Sequence, residues 1–260
     1  MKIYLSHWTK GRFKRGDEYT YKLFKLSSFL AKKIYGEVHL ITDSDGAEEL
    51  KDLKFDSVDL SLNALPDDLR IVWSLGKIMA YKVIAEKGEP FLHIDNDVFL
   101  FKRLDPYFED SEVLTQHLEY DTHFFYGANQ FIDPLVNKYF FAEKTIDKSA
   151  NMGIFGGINL DFIKFFAEES LKMTLDPLNK EAIKQTYFSK NFTAACMIEQ
   201  YYMSLLADIK NVPVTYLFHQ YENYNEKAIE FGYTHLWAAK IPLRKRLEPK
   251  IDELIYYYNL

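Results

Sequence analysis

Asp95 and Asp97 stand one residue apart inside FLHIDNDVFLF, residues 91–101, in a run otherwise interrupted only by His93 and Asn96. An apolar strand on both sides of such a cluster is a buried strand, and an ionised carboxylate buried there costs several kcal/mol unless a positive charge sits beside it. The partner this predicts is a metal ion. Read as one continuous strand, the segment alternates its side chains with period two, so both carboxylates share a face and address one cation. Mg²⁺ and Mn²⁺ prefer oxygen ligands and keep positions open for substrate phosphates. A diphosphate would supply those remaining ligands.

The elements that must position this pair alternate strand and helix. Residues 3–6 and 38–42 read as buried strands and residues 19–35 as a helix, with Leu23, Phe24, Leu26, Phe29, Leu30 and Ile34 at helical spacing. Asp43-Ser44-Asp45-Gly46 reads as a turn, 57–60 as a third strand, 70–87 as a second helix, and FLHIDNDVFL as the fourth strand. This alternation predicts an α/β fold, a Rossmann-type, mixed but mostly parallel sheet flanked by helices. Ligands of such sheets bind beyond the carboxyl ends of the strands, where Asp95 and Asp97 fall. Further on, 112–117 reads as a strand, 130–143 as a helix, and SANMGIFGGINLDFIKFF as a glycine-bearing stretch before another helix. Residues 1–260 read as a single domain, with 219–260 as a C-terminal extension. The basic run PLRKRLEPK in that extension reads as solvated surface or as a peripheral contact with an anionic membrane or acceptor.

Composition narrows the class. The 260 residues are 48% hydrophobic and 17% aromatic, enough for a large core. A net charge of −6 argues against a general nucleic-acid binder. Cys196 is the one cysteine, so no internal disulfide forms. No apolar run reaches the roughly 18 residues a transmembrane helix needs, and the expected compartment is cytoplasmic.

FLHIDNDVFL resembles the DxD strand of glycosyltransferases with the GT-A fold, of the glycogenin and bacterial lipopolysaccharide galactosyltransferase kind. The resemblance implies that Asp95 lies near the ribose and metal, and that Asp97 ligates Mn²⁺ or Mg²⁺ on a nucleotide-sugar diphosphate. ANMGIFGGIN resembles the family's donor-sugar segment, which carries over Asn151 and Gly153, although an ordinary tight turn explains the same residues. ACMIEQYYMSLLA resembles the family's acid-glutamine helix, which makes Glu199 and Gln200 the catalytic candidates; a surface glutamate on a core helix is the competing reading. YTHLWAAKI resembles the late histidine of the metal site and the lysine that follows it, so His235 becomes the third metal ligand and Lys240 a phosphate contact. Lys77 stands where the family places a basic residue facing the diphosphate and the first Asp; Trp73 and Tyr81, four residues to either side, offer packing across rings instead. In IYLSHWTKGRFKRG, Ser6 and Trp8 stand where the resemblance implies contacts to the nucleoside, with Lys10, Arg12 and Arg15 near phosphate; a solvated loop is the competing reading.

The resemblance therefore implies a metal-dependent, retaining hexosyltransferase that moves a sugar from a nucleoside-diphosphate sugar, a UDP-sugar above all, to a carbohydrate or glycolipid acceptor. The setting it implies is surface polysaccharide synthesis. Two other readings of the same residues stay open. IDNDVF also fits the Asp-x-Asp of haloacid-dehalogenase-like phosphatases, in which the first Asp is a nucleophile. A non-catalytic nucleotide- or carbohydrate-binding module on the same scaffold is the other.

Overall fold

A computed structural model describes residues 1–11, 17–107, 112–189, 193–236 and 242–260. Its strands are β1 Lys2–His7, β2 Val38–Thr42, β3 Ser57–Asp59, β4 Phe91–Ile94, β5 Val98–Leu100, β6 Val113–Tyr120, β7 Lys148–Gly157, β8 Val214–His219 and β9 Tyr233–His235. Seven of them form one sheet in the order β3-β2-β1-β4-β7-β6-β8, and β5 and β9 form a second, two-stranded one. Within the large sheet β7 alone runs antiparallel to its neighbours among the described residues. This is the mixed, mostly parallel α/β architecture that the GT-A resemblance implies.

Alternation along the strands sorts apolar side chains to the two faces. Tyr4, Phe91 and Phe155 pack with helices Leu75–Glu86, Leu160–Leu175 and Tyr202–Lys210. Ile3, Leu5, Leu92, Ile94 and Ile154 point the other way, with Phe24 and Ala31 of helix Glu18–Tyr35. Burying both faces is what lets parallel strands read as continuous apolar runs. The last helix, Arg244–Tyr257, lies against Glu18–Tyr35 through Ile251, Leu254 and Phe29. Arg244, from the basic run, is held by Asp17 and Glu248 at 3.0 and 3.1 Å. No helix among the described residues is long and apolar enough to cross a membrane.

Several elements differ from the sequence reading. FLHIDNDVFL is not one strand: β4 ends at Ile94, Val98 N–H closes a turn onto Asp95 O at 3.0 Å, and β5 continues in the other sheet. Asp and Asn side chains compete with the ladder for backbone hydrogen bonds and favour turns, so the period-two argument for a shared face does not apply. Asp43-Ser44-Asp45-Gly46 opens a helix, Ser44–Glu49, because Asp43 accepts from Gly46 N–H as an N-cap. The helix expected over 130–143 is two short pieces, Ala128–Ile132 and the 3-10 turn Tyr139–Ala142, with Pro134 between them unable to donate a helical bond. The stretch around Asn151 is neither a turn nor a loop but β7, flanked by β4 and β6.

Gly156 marks how tightly β7 is seated: a Cβ there would lie 2.0 Å from Phe91 O, a backbone atom that cannot swing aside. Gly156→Ala is expected to cost about 3 kcal/mol or more in urea unfolding at equilibrium; a cost within error of zero would contradict this account of the β4–β7 contact.

Candidate active site

The chain builds the site by bringing a turn and a late strand together. Asp95 is anchored as β4 ends, its N–H donating to Gly153 O at 2.8 Å. β9 then pairs antiparallel with β5, with His235 opposite Val98, and Leu236 N–H bonds Asp97 O at 3.1 Å. The Tyr224 hydroxyl holds the His235 backbone at both ends, accepting from its N–H at 2.8 Å and donating to its carbonyl at 2.9 Å. Asp95, Asp97 and His235 therefore present donor atoms that all lie within 4.8 Å of one another. His235 Nε2 is 3.5 Å from Asp97 Oδ1. Two carboxylates and one imidazole form a set that suits a hard divalent cation and leaves coordination positions for a ligand. The donor chemistry and spacing thus fit the metal that the sequence reading expects.

Beside this cluster Lys77 carries a shared positive charge. Its ammonium lies 2.9 Å from Asp95 Oδ1, 2.6 Å from Glu199 Oε1 and 3.0 Å from Met152 O, which uses all three of its protons. Lys77 is therefore not packed across Trp73 and Tyr81 alone. Tyr81 donates its hydroxyl to the same Glu199 oxygen at 3.2 Å. Glu199 is fully buried, unlike the surface glutamate of the competing reading, and its Oε2 has no hydrogen-bond partner among the described residues. Glu199 and Gln200 sit on a π-helical turn, Met197–Tyr201, between the helical segments Thr193–Cys196 and Tyr202–Lys210. Such turns recur at functional sites.

The burial of these charges sets their protonation. Burial pulls the Lys77 ammonium down, but Asp95 and Glu199 outweigh it and hold Lys77 well above the usual lysine value. Burial pushes Glu199 up to about 7, against the Lys77 charge, and the Asp95 carboxylate adds to the rise. His93, beneath the site, is driven well below its usual value by burial and by Lys77, so its ring is neutral.

The other expected residues divide. Asn151 is buried in β7, where its Nδ2 donates to Glu119 Oε1 and its Oδ1 accepts from Gly153 N–H, both at 3.1 Å. Gly153 lies directly under His235, since a Cβ there would come within 2.3 Å of the ring. Gln200 Oε1 lies 2.7 Å from the Tyr126 hydroxyl, which also meets Glu119, so the two oxygens compete for its single proton. Burial works against the Glu119 carboxylate, yet hydrogen bonds from His117, Tyr126 and Asn151 hold it below the usual range. Ser6 bonds His93 at 2.9 Å. Trp8 is 5% exposed and packs in the core against Gly76, so its ring offers no face to a nucleoside in this arrangement. Lys10 pairs with Asp67, while Arg12, Arg15 and Lys240 lie outside the described residues. Glu119, Tyr126 and Gln116 escaped the sequence reading, although VLTQHLEY places polar side chains within a buried strand, the signal that marks Gln116 and Glu119; Tyr126 lies beyond that strand and carries no such signal.

An α/β sheet with an Asp-Asp-His cluster at the carboxyl end of its fourth strand defines the class of the protein. The chain belongs to the Family of unknown function (DUF6734), which matches residues 1–242. None of the curated proteins matches the sequence. Among solved structures it is similar to a glycosyltransferase involved in the glycosylation of the major capsid of PBCV-1, at 14% identity and a TM-score of 0.45, over 95% of this chain and 100% of that one. It is also similar to the galactosyltransferase LgtC in complex with donor and acceptor sugar analogues, at 15% identity and a TM-score of 0.40, over 83% and 73%. Mouse xyloside xylosyltransferase 1 in its apo form follows at 10% identity and a TM-score of 0.37, over 76% and 82%. Likenesses this distant add nothing to what the sheet and the site show by themselves.

The elevated Glu199 has a thermodynamic signature. Its folded value, about 7, lies above the ordinary 4.5, so between those pH values the folded protein holds a proton that the unfolded chain has released. That contribution to stability is complete below about 4.5 and is lost as the pH rises through about 7. In urea titrations without added metal, wild type is expected to lose about 3 kcal/mol relative to Glu199→Gln across this window. Parallel pH profiles for the two proteins would rule out the elevated Glu199.

Proposed function

We propose that this protein is a metal-dependent glycosyltransferase that moves a sugar from a nucleoside-diphosphate sugar, a UDP-sugar above all, to a carbohydrate or glycolipid acceptor. The observation that carries the reading is the convergence of Asp95, Asp97 and His235 beyond β4, next to the buried Lys77–Glu199 pair. A Mn²⁺ or Mg²⁺ ion held by those three side chains would bind the diphosphate and offset the negative charge that accumulates on the leaving nucleotide.

The chain's own groups supply the rest of the reaction. Lys77 orients Asp95 through their ion pair, and limits the charge that two further carboxylates would otherwise concentrate there. Glu199 is shut off from solvent and acts chiefly through Lys77, which it holds in place. Buried Asn151 and Glu119 and half-buried Gln200 form a polar wall, each with hydrogen-bonding capacity beyond the contacts described, suited to reading the hydroxyls of a sugar. Gly153, lacking a side chain, leaves room for the His235 ring. As the bond from the anomeric carbon to the phosphate oxygen breaks, its electron pair leaves with the nucleoside diphosphate, and the acceptor hydroxyl oxygen bonds to that carbon while its proton passes to the departing phosphate oxygen. Retention of the anomeric configuration is the course we assign, with the chain acting as one catalytic domain whose C-terminal region provides His235.

Thermal unfolding against UDP, GDP, CDP and dTDP, each with and without Mn²⁺, tests the donor site. A ligand at a hundred times its dissociation constant adds about 2.7 kcal/mol, a visible rise in Tm. The expected outcome is a Mn²⁺-dependent rise for one nucleotide that Asp97→Asn removes, followed by transfer from the matching nucleotide sugar with the donor's anomeric configuration kept in the product NMR spectrum. No rise for any nucleotide, together with p-nitrophenyl phosphate hydrolysis that Asp95→Asn abolishes, assigns the phosphatase instead. Nucleotide binding without consumption of any sugar donor assigns a binding module.

A further inference from the structure

β6 and β7 do not pair evenly. Thr115 faces Phe155 and His117 faces Asn151, so Gln116 stands alone against Met152, Gly153 and Ile154. An irregularity of this kind re-aims a side chain out of the regular ladder. Here it turns Gln116, which is completely buried, toward the metal cluster. Gln116 Oε1 lies 2.7 Å from His235 Nδ1. The approach depends on Gly153, whose missing Cβ would sit 2.6 Å from Gln116 Oε1 and 2.3 Å from His235 Cε1. The other end of the Gln116 amide lies beside the Tyr233 hydroxyl, on the same strand as His235.

An amide oxygen can only accept, so a hydrogen bond to it requires the proton on Nδ1. A neutral imidazole has one proton and one lone pair, and the bond made by one nitrogen decides what the other offers. Nδ1–H toward Gln116 leaves the lone pair on Nε2, the nitrogen that faces Asp97. The opposite tautomer would aim a proton into the cluster and remove its one nitrogen donor.

We propose that Gln116 is a positioning residue that selects the Nε2-donating tautomer of His235 and so completes the metal site before any cation arrives. The inference rests on the metal reading of that site. Its logic is that of outer partners in metalloproteins, whose loss weakens metal affinity by about 10–100-fold. A neutral amide does this without bringing a third carboxylate against Asp95 and Asp97.

Two measurements test it, at about pH 8, above the ordinary imidazole range. Long-range ¹H–¹⁵N spectra of histidine-labelled, metal-free protein report the tautomer directly, with the His235 signals identified by their loss in His235→Asn. Wild type and Gln116→Glu, which keeps an acceptor, are expected to show the Nδ1–H pattern, and Gln116→Leu to lose it. Calorimetric titration with Mn²⁺ is expected to give about 10–100-fold weaker binding for Gln116→Leu and near wild-type binding for Gln116→Glu. Should the Leu variant not fold, Gln116→Met, closer in length and also lacking the acceptor, takes its place. An unchanged tautomer and unchanged Mn²⁺ affinity in the acceptor-less variant overturn the role of Gln116. A wild type that takes up no Mn²⁺ overturns instead the metal reading of the site, a distinct result.

Discussion

One buried ammonium ties the molecule together at its functional edge. Lys77 reaches from helix Leu75–Glu86 to the turn after β4 through Asp95, to the π-helical turn through Glu199, and to β7 through Met152 O. Burying a charge is costly, and removing one member of such a set strands the others in a medium that cannot solvate them. The arrangement therefore works only when four separate segments arrive together. It is a requirement on the tertiary structure that no single segment meets by itself.

Asp95 belongs to two assemblies at once. One carboxylate oxygen is held by Lys77, and the same side chain joins Asp97 and His235 in the cluster across the β5–β9 pairing. Asp95 and Lys77 thus link the Asp-Asp-His cluster to the π-helical turn that carries Glu199 and Gln200 by direct contacts. The elevated Glu199 is the cost of that design: its burial outweighs the attraction of Lys77. On the other side Gln116, Tyr224 and Gly153 govern His235 by hydrogen bonds and by the space left open. His235 is consequently held at both its backbone and its ring.

The sheet was largely legible because its strands are short apolar runs separated by helices with a clear 3.6-residue repeat, and both patterns follow from which faces must be buried. Residues 3–6, 19–35 and 38–42 all fall within β1, helix Glu18–Tyr35 and β2. The reading failed where two local preferences compete. Asp95-Asn96-Asp97 looked like strand because apolar residues flank it, yet its polar side chains made a turn and moved β5 into another sheet. Asn151 and Gly153 looked like a turn because of their residue types, yet ladders on both sides made them strand. Trp8 suggested a ligand contact by its place near a strand end, and packing claimed it for the core.

By itself the sequence determined the order of elements, the carboxylate pair, and the acid placed in an apolar helix, because these depend on residue type and short-range spacing alone. The tertiary structure decided which charges meet. Lys77, Asp95 and Glu199 are separated by long stretches of chain, and His235 reaches Asp97 only because β9 chose β5 as its partner. It also set Gln116 Oε1 against His235 Nδ1, through an irregularity in strand pairing at Gln116. The physical reason is range: propensity and periodicity act over a few residues, whereas the balance between desolvation and charge pairing depends on neighbours that only the folded chain brings together.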